Sequence, residues 1–368
     1  MRITFVLPTK DLSGGTRVAV IYAERLMRAG HSVRLVYPPP QPQSFRRKLK
    51  HLLVGKGWTK STRHLPSHLD GSTIDHYELE SWRPVIDQDV PDADVVIATW
   101  WETAEWVYAL SPNKGAKVYF IQGHEIFDGL PKDRVRDTYY FPMRKIVISQ
   151  WLKNIMLSEY GDPSVELVPN SVDHDQFFAE PRSKQTVPTV GFIYASASSK
   201  RADLSIMTLR GLRNQFPNLR IISFGSEYPT KNLKLPEGSQ FFYYPQQADI
   251  RHLYEQCDVW LTASKSEGFN LSAMEAMACR TPVVSTKTGW PEEAIKTGFN
   301  GFLAGVDDNS ALAEGVSWIL SLSDSDWRNL STNAFATVEK SSWSASAKLF
   351  EAALVRACES QSVSLKPC

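Results

Sequence analysis

The stretch of this chain richest in chemistry runs Ser264-Lys265-Ser266-Glu267-Gly268-Phe269-Asn270-Leu271-Ser272-Ala273-Met274-Glu275-Ala276-Met277-Ala278. It follows a predicted buried strand, Val259 to Thr262, and opens a predicted helix, Leu271 to Ala278. The backbone from Gly268 to Ser272 therefore offers helix-start N–H groups at the positive end of the helix dipole. A phosphate binds at such a place without a metal. Glu267 and Glu275 stand eight positions apart, one on the loop and one about a turn into the helix, so both border the same pocket. Carboxylates repel phosphate but accept hydrogen bonds from hydroxyls. A diphosphate flanked by a ribose and a sugar supplies that combination of anion and hydroxyls. Two surface carboxylates favoured near a helix start are the plainer alternative.

The elements that position this stretch alternate along the chain. Ile3 to Leu7, Ser32 to Tyr37, Asp94 to Thr99, Lys117 to Ile121 and Lys145 to Ile148 are short apolar runs that read as buried strands. Helical spacing of apolar residues separates them, from Val18 to Leu26, Thr103 to Leu110 and Gln150 to Tyr160. Prolines and charges from Pro169-Asn170-Ser171 and on through Glu180 to Pro188 read as a linker. The alternation then restarts: Val190 to Tyr194, Arg220 to Phe224, Gln240 to Tyr244, Val259 to Thr262 and Pro282 to Ser285 are predicted strands, with helices near Asp203 to Phe216, Ile250 to Glu255 and Leu271 to Ala278. Strands alternating with helices imply parallel sheets covered on both faces, so the fold class is α/β with two consecutive Rossmann-like units. Ligands of such sheets gather at the carboxyl ends of the strands, and a cleft between two facing units is the default site.

Composition narrows the function classes. At 368 residues the chain is long enough for two cored domains, and 42% hydrophobic with 22% charged residues is the balance of a globular protein. Forty-one basic against forty acidic residues leave a net charge of +1, which gives no field to attract nucleic acid. Cys257, Cys279, Cys358 and Cys368 have no metal-ligand spacing, and a reducing cytoplasm is the expected location. The apolar N-terminal run is stopped at Pro8, and no stretch reaches the length of a membrane span. Eleven tryptophans, including the pair Trp100-Trp101, are numerous for this length, and flat apolar rings suit sugar faces as well as cores.

Several further pieces occur in order: Gly14-Gly15 after the first strand, Arg28-Ala29-Gly30-His31-Ser32-Val33, Gln122-Gly123-His124-Glu125, Val168-Pro169-Asn170-Ser171-Val172-Asp173, Lys200-Arg201-Ala202-Asp203-Leu204, and Ala278-Cys279-Arg280-Thr281-Pro282-Val283-Val284-Ser285. With Glu267-x7-Glu275 they resemble the retaining glycosyltransferases of the GT4 family, over nearly the whole chain. The resemblance implies the GT-B fold, two Rossmann-like domains facing across a cleft. The expected parts are an acceptor-side domain at 1–175, a nucleotide-sugar domain at 176–340 and a C-terminal helix at 341–368 that crosses back to the first. It also implies the roles of individual residues. Glu275 would bind the ribose, Glu267 the donor sugar, and Lys200 the phosphates, with Arg201 beside it. Gly268, Phe269, Asn270 and Leu271 would line the donor site, and Gly14 and Gly15 would let the first domain's backbone approach the donor because no Cβ intervenes. His124 would approach the reacting centre, making His124, Lys200 and Glu267 the expected catalytic set. Each has a plainer alternative as a cap, turn or core residue.

Trp100, Trp101 and Glu102, after a predicted strand, are the candidate acceptor platform. Asp92-x-Asp94 and Asp324-x-Asp326 have a metal-binding form but begin predicted elements, where Asp caps, so no metal is expected. The chain departs from the family pattern at Phe192, where an arginine is common, and at Arg280, where glycine is usual. Trp290 projects from a compressed glycine-rich loop. The two departures at Arg280 and Trp290 bear on substrate choice. No acidic residue occurs from Arg25 to Leu69, and Phe45 to Arg63 reads as a basic amphipathic segment suited to an anionic membrane surface or to its own domain. The expected activity is transfer of a sugar from a UDP- or GDP-linked donor, with no other cofactor, to a hydroxyl of a glycan, lipid-linked or small acceptor. An epimerase of the same fold and a non-catalytic partner subunit are the alternatives.

Overall fold

A computed structural model describes residues 1–41 and 66–364 of the chain. The segment Phe45 to Arg63 lies outside the described residues. The chain divides into two compact units, one made of Met1–Val147, Met156–Val168 and Ser346–Cys368, the other of Ile148–Ile155 and Pro169–Ala345.

In the first unit β1 (Arg2–Val6), β2 (Ser32–Tyr37), β3 (Asp75–Glu78), β4 (Val95–Ala98), β5 (Ala116–Ile121), β6 (Arg144–Val147) and β7 (Glu166–Leu167) form a sheet in the order β3-β2-β1-β4-β5-β6-β7. Every pairing is parallel. Helices cover both faces of such a sheet, so its inner strands bury nearly all their side chains and read as continuous apolar runs. Phe5 illustrates this: it lies opposite Leu35 on one side and Ile97 on the other, and all three are fully buried. The helix Gly14–Arg28 starts at Ser13, whose hydroxyl accepts from the Thr16 N–H. Gly14 and Gly15 therefore form its first turn. From the chain's far end Phe350 stacks on Tyr22 with centroids 4.4 Å apart and meets Phe120 edge-on at 5.0 Å.

In the second unit β8 (Thr189–Ile193), β9 (Arg220–Gly225), β10 (Gln240–Tyr243), β11 (Val259–Thr262), β12 (Val283–Thr286) and β13 (Gly301–Ala304) form a parallel sheet in the order β10-β9-β8-β11-β12-β13. This order reverses between β8 and β11, which places the loops after those two strands side by side. The fold is thus two Rossmann-like α/β units, as the alternation predicts. Phe192, in β8, is fully buried in this unit's core.

The sequence reading is corrected in several places. β3, β7, β13 and the helices Lys132–Tyr139 and Asn309–Ser321 are additions to that reading, while the helix Asp324–Val338 begins at Asp324 as expected. β3 is an edge strand whose polar Asp-His-Tyr-Glu residues stay largely exposed, and β7 has two residues, so neither carries a buried apolar run. The stretch Glu180 to Pro188 is no free linker. Arg182 stacks on Trp327 at 4.5 Å and donates to the Cys257 carbonyl, and the Lys184 ammonium donates to the Leu320 and Leu322 carbonyls at the end of a helix. These cations sit where carbonyls are left unpaired, so prolines and charges here mark an anchored strap. Asp94 pairs with Arg2 and Asp92 with Lys114, while Asp324 accepts from the Lys184 N–H and pairs with Arg328. Among the described residues no group of His, Cys, Asp and Glu side chains is arranged to hold a metal ion, and no helix is long and apolar enough to cross a membrane.

Candidate functional site

The loops after β8 and β11 are tied together at the backbone: the Lys265 N–H donates to the Ser199 carbonyl at 2.7 Å. That tie brings Lys200 to Glu267. The Lys200 ammonium meets both Glu267 oxygens at 2.7 and 2.9 Å, and the Ser264 hydroxyl donates to one of them at 2.7 Å. The Glu267 side chain is only 10% exposed while that of Lys200 is 44% exposed, so the ammonium forms the outer face of the pair. Thr288, past the end of β12, accepts from the Glu267 N–H at 2.9 Å, and Thr286 donates to the Ser264 carbonyl at 2.6 Å. Three adjacent strand ends thus converge on one residue, Glu267 and its loop.

Asn270 then caps the helix Leu271–Ala278. It sits in the left-handed region (φ 79°), where asparagine is tolerated, and its side-chain oxygen accepts from the Ala273 N–H while its amide donates to Thr262. The turn at Gly289 packs against this loop with φ 64° and ψ −150°, a conformation essentially confined to glycine. A Cβ there would lie 2.9 Å from the Phe269 carbonyl oxygen and 3.0 Å from the Glu267 Cβ. Trp290 follows: its N–H donates to the Phe269 carbonyl at 2.9 Å and its ring stacks on Phe269 at 5.6 Å. It is 8% exposed and braces the loop from behind.

Glu275 is buried in the second turn of the helix, where the Tyr254 hydroxyl donates to it at 2.9 Å. Arg201 caps the helix Ala202–Leu212 from the left-handed region (φ 48°), and its guanidinium pairs with Asp203 and Asp307. Arg280, the departure read as bearing on substrate choice, has another explanation. It stands just past the helix Leu271–Ala278 at φ 56°, the position where glycine relieves strain. Its side chain donates to the Ala179 carbonyl at 3.0 Å and covers the Phe335 ring at 4.2 Å. That position is set by backbone conformation and packing.

In the first unit His124 and Glu125 follow β5. The His124 Nε2 lies 2.7 Å from the Tyr160 hydroxyl and 3.8 Å from Glu159, and burial pushes the ring's pKa below its ordinary 6.5. The imidazole is therefore neutral near pH 7, able to exchange a proton with the tyrosine hydroxyl or to accept one from a substrate. Gln122, just upstream, donates to the Gly15 carbonyl at 3.1 Å, which fixes the first turn of the helix Gly14–Arg28 beside this loop. A Cβ on Gly14 would meet nothing within 4 Å, leaving that turn open.

Trp100 caps the helix Trp101–Ala109 and is partly exposed, whereas Trp101 is buried beneath the Arg134 guanidinium at 5.0 Å. Of the platform residues, Trp101 is thus a core ring, and Trp100 and Glu102 remain accessible. Glu125 is the residue that sequence reasoning passed over here. It is 2% exposed and accepts from the Trp101 N–H at 3.0 Å, linking the histidine loop to that helix start. Burial lifts its carboxyl well above the usual carboxylate range. A carboxyl whose pKa is raised on folding stabilises the fold at low pH, and this contribution is lost as pH rises through its unfolded value toward its folded one. Glu125→Gln, which keeps an acceptor for Trp101, is expected to hold a flatter melting temperature than wild type between about pH 5 and pH 8. Parallel melting curves against pH would show that Glu125 ionises freely.

A hollow of about 640 Å³ in the first unit is lined by Lys117, Tyr139, Tyr140, Phe141, Lys145 and Asp162 among others. It opens at the amino ends of β5 and β6, the end of a parallel sheet that ligands do not favour; Tyr160, the partner of His124, borders it, but none of the predicted site residues does.

Residues 12–176 match the family model described as Glycosyltransferase Family 4, and residues 173–336 the one described as Glycosyl transferases group 1. The chain is 32% identical over 101 residues to N-acetyl-alpha-D-glucosaminyl L-malate synthase of Bacillus anthracis, a match covering 26% of each chain. It is 28% identical over 175 residues to the GtfA subunit of the Streptococcus gordonii UDP-N-acetylglucosamine–peptide N-acetylglucosaminyltransferase, covering 45% of this chain and 34% of that one. These matches span about a third or less of the relatives' own lengths. Among solved structures, sucrose-phosphate synthase from Thermosynechococcus elongatus superposes with a TM-score of 0.72 at 16% identity, covering 97% of this chain and 98% of that one. HepE of Anabaena, solved with UDP and glucose, gives 0.70 at 17% identity, covering 97% and 100%. At such identities the likeness is one of fold.

Proposed function

We infer that this chain, a GT-B glycosyltransferase of family 4 type in its first half and group 1 type in its second, moves a sugar from a nucleoside diphosphate sugar to a hydroxyl acceptor and retains the anomeric configuration. The observation that carries the reading is Lys200 held on Glu267 beside the start of the helix Leu271–Ala278. A carboxylate alone would repel a diphosphate. With the ammonium on its outer face, the same carboxylate accepts from sugar hydroxyls while Lys200 turns its remaining donors to the phosphate. In the transfer the bond from the sugar's anomeric carbon to the phosphate oxygen breaks, and its electron pair leaves with the nucleoside diphosphate. The acceptor oxygen bonds to the same face of that carbon, and its proton passes to the departing phosphate. Negative charge therefore grows on the leaving group, and Lys200 and the helix-start amides stabilise it most in the transition state. Glu275 binds the ribose, and neutral His124 faces the reacting sugar. Gly14, Gly15, Gly268, Phe269, Asn270 and Leu271 line the donor, and Trp100 and Glu102 serve the acceptor. The structure of HepE with UDP and glucose supports a donor of this class.

The test is thermal unfolding with UDP, GDP, dTDP and ADP and their sugars at millimolar concentration. A nucleotide at 100 times its Kd adds about 2.7 kcal/mol to the folded state, so at least one base is expected to raise the melting temperature by several degrees. No shift with any of them would remove the donor reading. Product analysis by NMR then decides the rest: a transferred sugar with its donor configuration is expected, and a sugar isomerised without acceptor would identify an epimerase instead.

A further inference from the structure

We propose that Tyr254 is the positioning residue for Glu275, holding its carboxylate in the orientation that the donor's ribose hydroxyls meet. The proposal rests on the donor reading above. Tyr254 lies in the last turn of the helix Gln247–Glu255, on a different element from Glu275, and its hydroxyl lies 2.9 Å from the Glu275 Oε2. Tyr254 is wholly buried and Glu275 is 6% exposed.

The phenol is itself immobilised. Its ring meets Trp260 edge-on at 4.6 Å, Phe224 at 6.0 Å and Phe177 at 6.1 Å. Its carbonyl accepts from the Thr281 hydroxyl at 2.7 Å and from the Cys257 N–H at 3.0 Å. A tyrosine has two side-chain rotors, and with the ring wedged and the backbone pinned its oxygen has one place to be. A glutamate has three rotors, so an unrestrained carboxylate would have to be ordered by each incoming ligand. The hydrogen bond to Oε2 sets the carboxyl plane beforehand, and a ligand that needs that plane binds without this cost. It also gives a buried carboxylate a charge-assisted donor.

Calorimetric titration of UDP and GDP, each against its 2′,3′-dideoxy analogue, tests this on wild type, Tyr254→Phe, Glu275→Gln and the double variant. Phenylalanine keeps every ring contact, so Tyr254→Phe is expected to melt within a few degrees of wild type. Wild type should bind its preferred nucleotide about tenfold more tightly than the dideoxy form, the scale of a hydrogen bond to a charged group. Tyr254→Phe should lose most of that preference while binding the dideoxy form within about twofold of wild type. Glu275→Gln should show the same loss, and adding Tyr254→Phe to it should change nothing further, since Tyr254 acts through Glu275. An unchanged preference in Tyr254→Phe, or equal weakening of both nucleotides, overturns the proposal. Wild type that binds nucleotides without preferring the ribose form overturns it through Glu275, and wild type that binds none removes the donor reading beneath it.

Discussion

Lys200→Ala is expected to lower kcat/KM for sugar transfer by at least ~100-fold, most of it in kcat, because the charge that Lys200 meets appears on the leaving group as the sugar departs. The geometry adds a second penalty. Glu267, a tenth exposed, keeps the Ser264 hydroxyl but loses the cation that holds both its oxygens. In the proposed donor complex the carboxylate would then repel the diphosphate. Removing that charge as well should recover part of the loss, so Lys200→Ala with Glu267→Gln is expected to cost less than the two single changes combined. Steady-state kinetics on the four proteins of this cycle decide it. Activity of Lys200→Ala within about threefold of wild type would remove Lys200 from the reaction.

Gly289→Ala is the second large effect expected, and it involves no charge. The new methyl would press on the Phe269 carbonyl at 2.9 Å and the Glu267 Cβ at 3.0 Å, on a backbone at φ 64°. Backbone strain of this kind costs about 1–3 kcal/mol. Relief comes by moving the donor loop, and a displacement near 1 Å at a reacting site costs on the order of 100-fold in rate. Activity is therefore expected to fall ~10- to 100-fold while the melting temperature drops by a few degrees. Gly298→Ala is the control: its φ is 84°, and a Cβ there meets nothing within 4 Å. It should lower the melting temperature and leave transfer intact. Equal activity losses in the two variants would mean that strain alone, without contact to Glu267, accounts for the effect.

The strands that fix the fold are legible because a parallel strand buried on both faces must be mostly apolar, as β4 is throughout and β1, β8 and β11 are apart from Arg2 and single threonines. β3 and β7 lie at sheet edges and bury little, so nothing in their composition announces them. At the site, the spacing of Glu267 and Glu275 and the helix start after β11 are local features and could be read directly. The partners that give those residues their environment are not local. Tyr254 reaches Glu275, and Thr288 reaches Glu267, each across 21 positions. Arg280 shows a different limit: a charged side chain draws attention, yet its place depends on a left-handed backbone that its chemistry does not encode. Arg182 and Lys184 mislead in the same way, since a cation bound to helix-end carbonyls has the composition of an exposed one.

The return of the last helix to the first unit has a consequence for the order in which the protein can be made. Phe350 fills a space among Tyr22, Phe5 and Phe120, so the first unit's core stays open until that residue has been synthesised. Some 180 residues separate Val168 from Phe350, and at about 5–20 residues per second the ribosome needs roughly 10 to 40 seconds to supply them. During that interval Pro169–Ala345, nearly a complete unit in one continuous run, emerges and can form its sheet. The half of the chain that begins synthesis is therefore the half that finishes folding. Its nascent core, apolar and unsealed, is what a chaperone would meet on the translating ribosome.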